Sequence, residues 1–360
     1  MFDWFSIKNL FFAGMFHFLG YTPAPDHAGT PWPEHETPAV VGYNAEQLTE
    51  VATLADTMAN DAIVVVVDGK ILWEYGDTKA LSYLASVRKS LLAMLYGPYV
   101  DDGTINLDLT LTDIGLDDVG GLMPIEKQAR VRDLVTARSG VYHKASNPGD
   151  NLDAAPPRGS QEPGTYFLYS NWDFNAAGSA FERLTGESIY DAFDAKLAQP
   201  LGFEHWRRLI HIRNGDSDRS EHLAYHFVLS TRDMARLGEL MRMKGNWQGT
   251  QVLSERWVNE IISLVTPNAE MNPPSERESE FGYGYMWWIW DGPKVSCVYE
   301  GAYTARGAFG QFITVIPKLD MVVAHKTLPD ARTRWGEYVQ ILDALVEAHT
   351  EPVCGEAEAA

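Results

Sequence analysis

A chain of 360 residues that is 45% hydrophobic is long enough for one large core or two lobes, and 11 Trp, 16 Tyr and 15 Phe supply bulky core and pocket material. The formal net charge of -20 excludes nucleic acid as a partner, because a phosphate backbone would be repelled rather than neutralised. Cys297 and Cys354 make no metal-ligand pair, and with Cys354 in an acidic, Ala-rich tail no disulfide framework is expected.

Residues 1–40 form an apolar, aromatic segment followed by a linker rich in Pro, His and Gly. Lys8 precedes the run Leu10 to Phe16, His17 interrupts it, and no small-x-small cleavage site follows. The segment reads as a signal peptide or as a docked, membrane-touching helix, with the second favoured. It is too short for an ordinary transmembrane span. Over residues 44–59, Leu48, Val51, Leu54, Ala55 and Met58 recur at helical spacing. Residues 62–67 are a β-branched run, Asp68-Gly69 is a hairpin turn, and 70–75 alternate as a second strand.

Helix is expected at 86–99, and helical patterns then dominate to about residue 265, at 131–138, 174–185, 189–197, 231–244 and 254–264. Strands return at 284–290, 309–316 and 321–325. A helix over 334–349 precedes the acidic tail, 351–360. Strand material at both ends with helices between implies an α/β (α+β) fold. Its antiparallel sheet is drawn from 41–85 plus 266–350 and flanked by helices, with a mainly helical lobe, 86–265, inserted.

Two short strings carry the chemistry. In Ser86-Val87-Arg88-Lys89 a hydroxyl and an ammonium lie three residues apart, on one face at the start of a helix. Positive helix-end potential there suits a developing oxyanion, and the Ser86 N–H faces the same site. A buried ammonium loses pKa and becomes a base, whereas Arg88 cannot give up its proton. In Tyr169-Ser170-Asn171, after the turn Pro163-Gly164-Thr165, an extended loop sends a phenol and a carboxamide to one side. A phenol beside an ammonium ionises more readily and can take the Ser86 proton, while Asn171 accepts from Lys89 and donates to a substrate carbonyl. The bland readings are a capping serine, a solvated lysine and a loop-capping asparagine. Ser86 is, however, the only Ser with Lys at +3, and Tyr169 the only Tyr with Asn at +2.

With Pro163-Gly164-Thr165 ahead of the second string, these residues resemble the β-lactamase/penicillin-recognising serine hydrolases of class C type. That group includes lactamase-fold esterases, D-aminopeptidases and 6-aminohexanoate-dimer hydrolases. The resemblance runs over about residues 40–345, supported by 134–140, 200–203 and 230–235. It implies a β-lactamase/transpeptidase-like fold, acylation of Ser86 and deacylation by water. The chain departs at the third motif, Lys-Thr-Gly, whose place by counting back from Phe309-Gly310 falls on Ala302-Tyr303-Thr304. No Lys or His stands there, which argues against efficient β-lactam hydrolysis and less against ester or amide hydrolysis.

By the same count the second oxyanion-hole N–H, beside that of Ser86, comes from about Ala305, and Tyr303 and Arg306 shape the pocket. His143 is a candidate substrate contact, and Trp172, Trp287, Trp288 and Trp290 are candidates for an apolar acyl pocket, with core packing the plainer role for most of them. No G-x-S-x-G, H-E-x-x-H or C-x-x-C occurs, and His222 with His226 lacks an acidic partner for a metal. The expectation is a cofactor-free, metal-free serine hydrolase of small esters or amides. Lys89 and Tyr169 share base and acid work, and Asn171 positions Lys89 and substrate. The alternatives are a non-turnover ligand sensor of the same fold, or a weak β-lactamase or D-aminopeptidase.

Overall fold

The computed structural model describes residues 24–327 and 331–354. The apolar N-terminal run lies outside the described residues, among which no helix is long and apolar enough to cross a membrane.

In chain order the main elements are α1 (Ala45–Asp56), β1 (Ala62–Val67), β2 (Lys70–Gly76), α2 (Val87–Asp101), α3 (Asn171–Thr185), α4 (Thr231–Arg242), β3 (Phe281–Tyr283), β4 (Trp288–Trp290), β5 (Tyr303–Gly307), β6 (Gln311–Ile316), β7 (Met321–Lys326) and α5 (Trp335–Glu347). The strands form one seven-stranded sheet in the order β2-β1-β7-β6-β5-β4-β3, with antiparallel neighbours throughout. The β1–β2 hairpin closes through Asp68 (φ 47°) and Gly69 (φ 78°), the left-handed pair for which an Asp-Gly sequence is suited.

β1, β6 and β7 are buried along their whole length because both sheet faces are covered. On β6 the period of two is visible in the contacts. Phe312 stacks on Tyr338 of α5 at 4.5 Å, and Thr314 accepts the Tyr338 hydroxyl at 2.9 Å. Ile313 points the other way, toward α4. A Cβ on Gly238 of α4 would lie 2.8 Å from Ile313 and 2.4 Å from Val322, so glycine lets helix and sheet approach. Each fully buried Val, Ile or Leu here contributes roughly 1.5–3 kcal/mol.

Three sequence expectations are corrected. Helix α4 falls in the stretch assigned to the helical lobe, yet it packs on β1, β6 and β7 and belongs to the sheet layers. The strand expected over 284–290 is a hairpin, β3–β4, whose connection passes through Met286 at φ 58°. Cys297 and Cys354 form a disulfide, with Cα atoms 6.2 Å apart. Just ahead of Cys354, His349 bridges to Tyr43 and Val353 packs on the core.

Helix α2 runs through the middle of the molecule, buried on every side from Val87 to Gly97. Its N-terminus is thereby fixed against β5 of the sheet and against α3.

Candidate active site

Ser86 stands where the two-residue strand Ser82–Tyr83 turns into α2. Ala85 just before it has φ 47°, a left-handed conformation that is strained for a residue with a Cβ. The Ser86 side chain makes no capping hydrogen bond, so the ordinary role of a serine at a helix start is not taken up. Its Oγ instead lies 3.0 Å from Lys89 Nζ.

Lys89 is 1% exposed and reaches two more oxygens, Tyr169 Oη at 2.5 Å and Asn171 Oδ1 at 2.7 Å. The Asn171 amide is oriented by its other end, where Nδ2 donates to Pro148 O at 2.9 Å. The Asn171 N–H donates to Asp150 Oδ2 at 2.9 Å. Asn171 is the first residue of α3 rather than a loop residue. The extended Ser170 (φ -119°, ψ 122°) delivers Tyr169 and the helix start to the same pocket. Arg88 turns away, with Nη2 donating to Asn175 Oδ1 at 2.7 Å and its guanidinium 4.3 Å from the Tyr225 ring.

Burial pushes Lys89 well below the ordinary ammonium range; the Arg88 charge adds to this and Asp150 opposes it. Burial also pushes the Tyr169 phenol up to about 12, against the pull of the Ser86 hydrogen bond and of the Arg88 and Arg306 charges. Burial thus disfavours the charged forms of both groups, the Lys89 ammonium and the Tyr169 phenolate. Asn171 Oδ1 can only accept, which commits one Lys89 N–H. A neutral amine still keeps a lone pair for a hydroxyl proton.

A cavity of about 520 Å³ opens over Ser86, and Tyr169, Asp150, Trp288, Arg306, Gly307 and Ala308 are among the residues that line it. A Cβ on Gly307 would lie 2.6 Å from Leu84 O and 3.2 Å from Ser86 N, so only glycine lets β5 come this close. The stretch beside the nucleophile is thus Ala305-Arg306-Gly307, three residues beyond the sequence count. That count took the next strand to begin at Phe309. It begins at Gln311, because Phe309 (φ 69°) and Gly310 (φ 97°) make the turn.

Ala305 is consequently buried and paired with Ile313, and it does not line the cavity. Three further candidates are also placed elsewhere. Tyr303 is buried against Trp287, with ring centroids 5.5 Å apart. Both ring nitrogens of His143 lie 2.9 Å from backbone carbonyls, of Lys144 and Val119. Trp172 is fully buried, and its Nε1 donates to Asp118 Oδ2 at 2.6 Å. Of the candidate pocket residues Arg306 and Trp288 line the cavity. Sequence reasoning missed Asp150, Glu276, Phe309, Arg332, Arg334 and Trp335, which line it from segments far apart in the chain with no local signal. Among the described residues no group of three or more His, Cys, Asp or Glu is placed to hold a metal.

The chain matches the Beta-lactamase family model over residues 49–327. It is 23% identical over 329 residues to the 6-aminohexanoate-dimer hydrolase of Paenarthrobacter ureafaciens, covering 81% of this chain and 78% of that one. The structure of a candidate 6-aminohexanoate-dimer hydrolase from Bacillus anthracis superposes with a TM-score of 0.66 at 17% identity, covering 97% and 95% of the two chains. A family VIII carboxylesterase superposes with a TM-score of 0.61 at 14% identity, over 85% and 99%.

Proposed function

The chain belongs to the beta-lactamase family, and from that premise we propose that it is a serine hydrolase cleaving ester or amide bonds of small molecules through an acyl-enzyme on Ser86. The observation that carries this reading is the uncapped Ser86 Oγ held 3.0 Å from a buried, deprotonation-prone Lys89. Neutral Lys89 takes the Ser86 proton as Oγ attacks the carbonyl. The Ser86 N–H, at the positive end of α2, and an N–H from the Gly307–Ala308 end of β5 donate to the oxyanion. Tyr169 passes its phenol proton to the leaving group and is reprotonated from Lys89. Water, activated by the same pair, then releases the acyl group. Asn171 holds Lys89 in place throughout.

Esters and open amides fit better than β-lactams, since buried Ala305 stands where the family's third motif carries lysine. The likeness to a 6-aminohexanoate-dimer hydrolase supports linear amides alongside esters. The test is hydrolysis of p-nitrophenyl acetate with intact-mass detection of the acylated chain. Ser86→Ala is expected to lose both turnover and adduct, and full activity in that variant would remove Ser86 from the mechanism. A stable adduct without turnover in the parent would favour a ligand sensor.

A further inference from the structure

We propose that the Phe309 ring is a substrate contact, and that the cavity selects esters or amides carrying an aromatic group beside the bond to be cleaved. This rests on the hydrolase reading above and names its substrate class.

Phe309 is 41% exposed, and among the described residues its side chain neither belongs to the hydrophobic core nor packs against it. Its backbone is left-handed at φ 69°, a conformation that strains a bulky L-residue and that glycine would adopt freely. The fold therefore gains neither core packing nor a relaxed turn from a phenylalanine here. The turn is nevertheless held in this shape from behind. Phe309 O accepts from Thr333 N–H at 3.4 Å, and Gly310 O accepts from His325 Nδ1 at 2.7 Å. A Cβ on Gly310 would lie 2.4 Å from Thr327 Oγ1 and 3.0 Å from Thr333 Cβ, so that position has to be glycine. An exposed aromatic in a strained conformation that its surroundings enforce points to use rather than to stability.

The place of the ring identifies the use. Phe309 lines the cavity over Ser86, two residues beyond Gly307, where β5 comes closest to the nucleophile. Two residues span at most about 7 Å, so the ring is within reach of a group attached to a carbonyl seated on Ser86. Trp288, Phe312 and Trp335 line the same cavity. Their rings already have partners in the protein. The Arg306 guanidinium lies 4.7 Å from the centroids of Trp288 and Trp335, and Phe312 stacks on Tyr338 at 4.5 Å. Phe309 adds exposed ring surface to this aromatic wall. A flat apolar group of the substrate would cover that surface and add ring-to-ring contact to the area it buries. A cavity of about 520 Å³ is of the size that encloses such a molecule.

The test compares vinyl 3-phenylpropanoate with vinyl acetate, which puts the ring on the acyl side, and benzyl acetate with methyl acetate, which puts it on the leaving side. In at least one pair kcat/KM is expected to favour the aromatic ester by about 10–100-fold. Phe309→Asn removes the ring and tolerates the left-handed turn. It should lower that ratio by about 5–10-fold with a melting temperature no lower than the parent's. Phe309→Tyr keeps a ring in the same turn and should hold the ratio. A preference for neither aromatic ester, a ratio unchanged in Phe309→Asn, or an equal fall in Phe309→Tyr overturns the proposal and leaves the hydrolase reading intact. If no ester is turned over, the hydrolase reading fails. Calorimetry of 4-phenylbutan-2-one against butan-2-one on the parent and on Phe309→Asn then decides the ring contact, and equal binding of the two ketones by the parent would overturn it.

Discussion

The wall around Ser86 and the wall around Arg306 enclose one cavity but treat their cations in opposite ways. Lys89 is surrounded by Ser86, Tyr169 and Asn171, each within 3.0 Å, and these partners stand at or just before the starts of α2 and α3. Among the described residues Arg306 is set among aromatic rings, drawn from β3, β4 and the start of α5. The difference separates two tasks. A group that exchanges a proton needs its partners fixed in advance and its charged form destabilised by burial. A cation set among aromatic rings is held by their π-systems, and burial lowers its pKa without taking its charge at neutral pH.

The proton-handling wall should be the less tolerant. Replacing Lys89 with Met is expected to lower kcat for an activated ester by about 10³–10⁴-fold. Lys89→Arg should do as badly, because a guanidinium does not deprotonate. Steady-state kinetics on folded variants would check both, and an active Arg variant would show that Lys89 is not the base. The joint between the two walls comes next. Gly307→Ala places a Cβ 2.6 Å from Leu84 O, which must push β5 away from Ser86. A displacement of that kind should cost on the order of 10²-fold in kcat while circular dichroism stays native. Unchanged kcat would mean that β5 does not supply an oxyanion donor.

The smallest expected effect is a movement of the pH profile. In the proposed mechanism the active form has Lys89 neutral, so activity rises with pH through the Lys89 pKa. Arg88 lowers that pKa and Asp150 raises it. Arg88→Gln should therefore move the acid limb of kcat/KM to higher pH, and Asp150→Asn should move it lower. Both limbs staying put would place the base elsewhere.

The local parts of this molecule were legible in its sequence. The β1–β2 hairpin follows from a β-branched run, an Asp-Gly turn and an alternating run, and all of that information lies within fifteen consecutive residues. Ser86 and Lys89 meet because helical spacing requires it. Tyr169 and Asn171 could be singled out as a pair, but their meeting with Lys89 across some 80 residues depends on how α3 packs. The register of β5 was not legible. Its error of three residues came from one turn, Ala308 to Gly310, whose left-handed Phe309 is not a residue that announces such a conformation.

By itself, then, the sequence determined most element types, the candidate nucleophile with its lysine, and the family's motif order, since turn chemistry and periodicity act over a few residues. Tertiary structure alone decided that Lys89 and Tyr169 are both buried, which lowers the pKa of the amine and raises that of the phenol. It also decided that Gly307 stands beside Ser86, that Cys297 meets Cys354, and that three aromatic rings from distant segments close around Arg306. Each of these depends on distances between residues that the chain itself holds far apart.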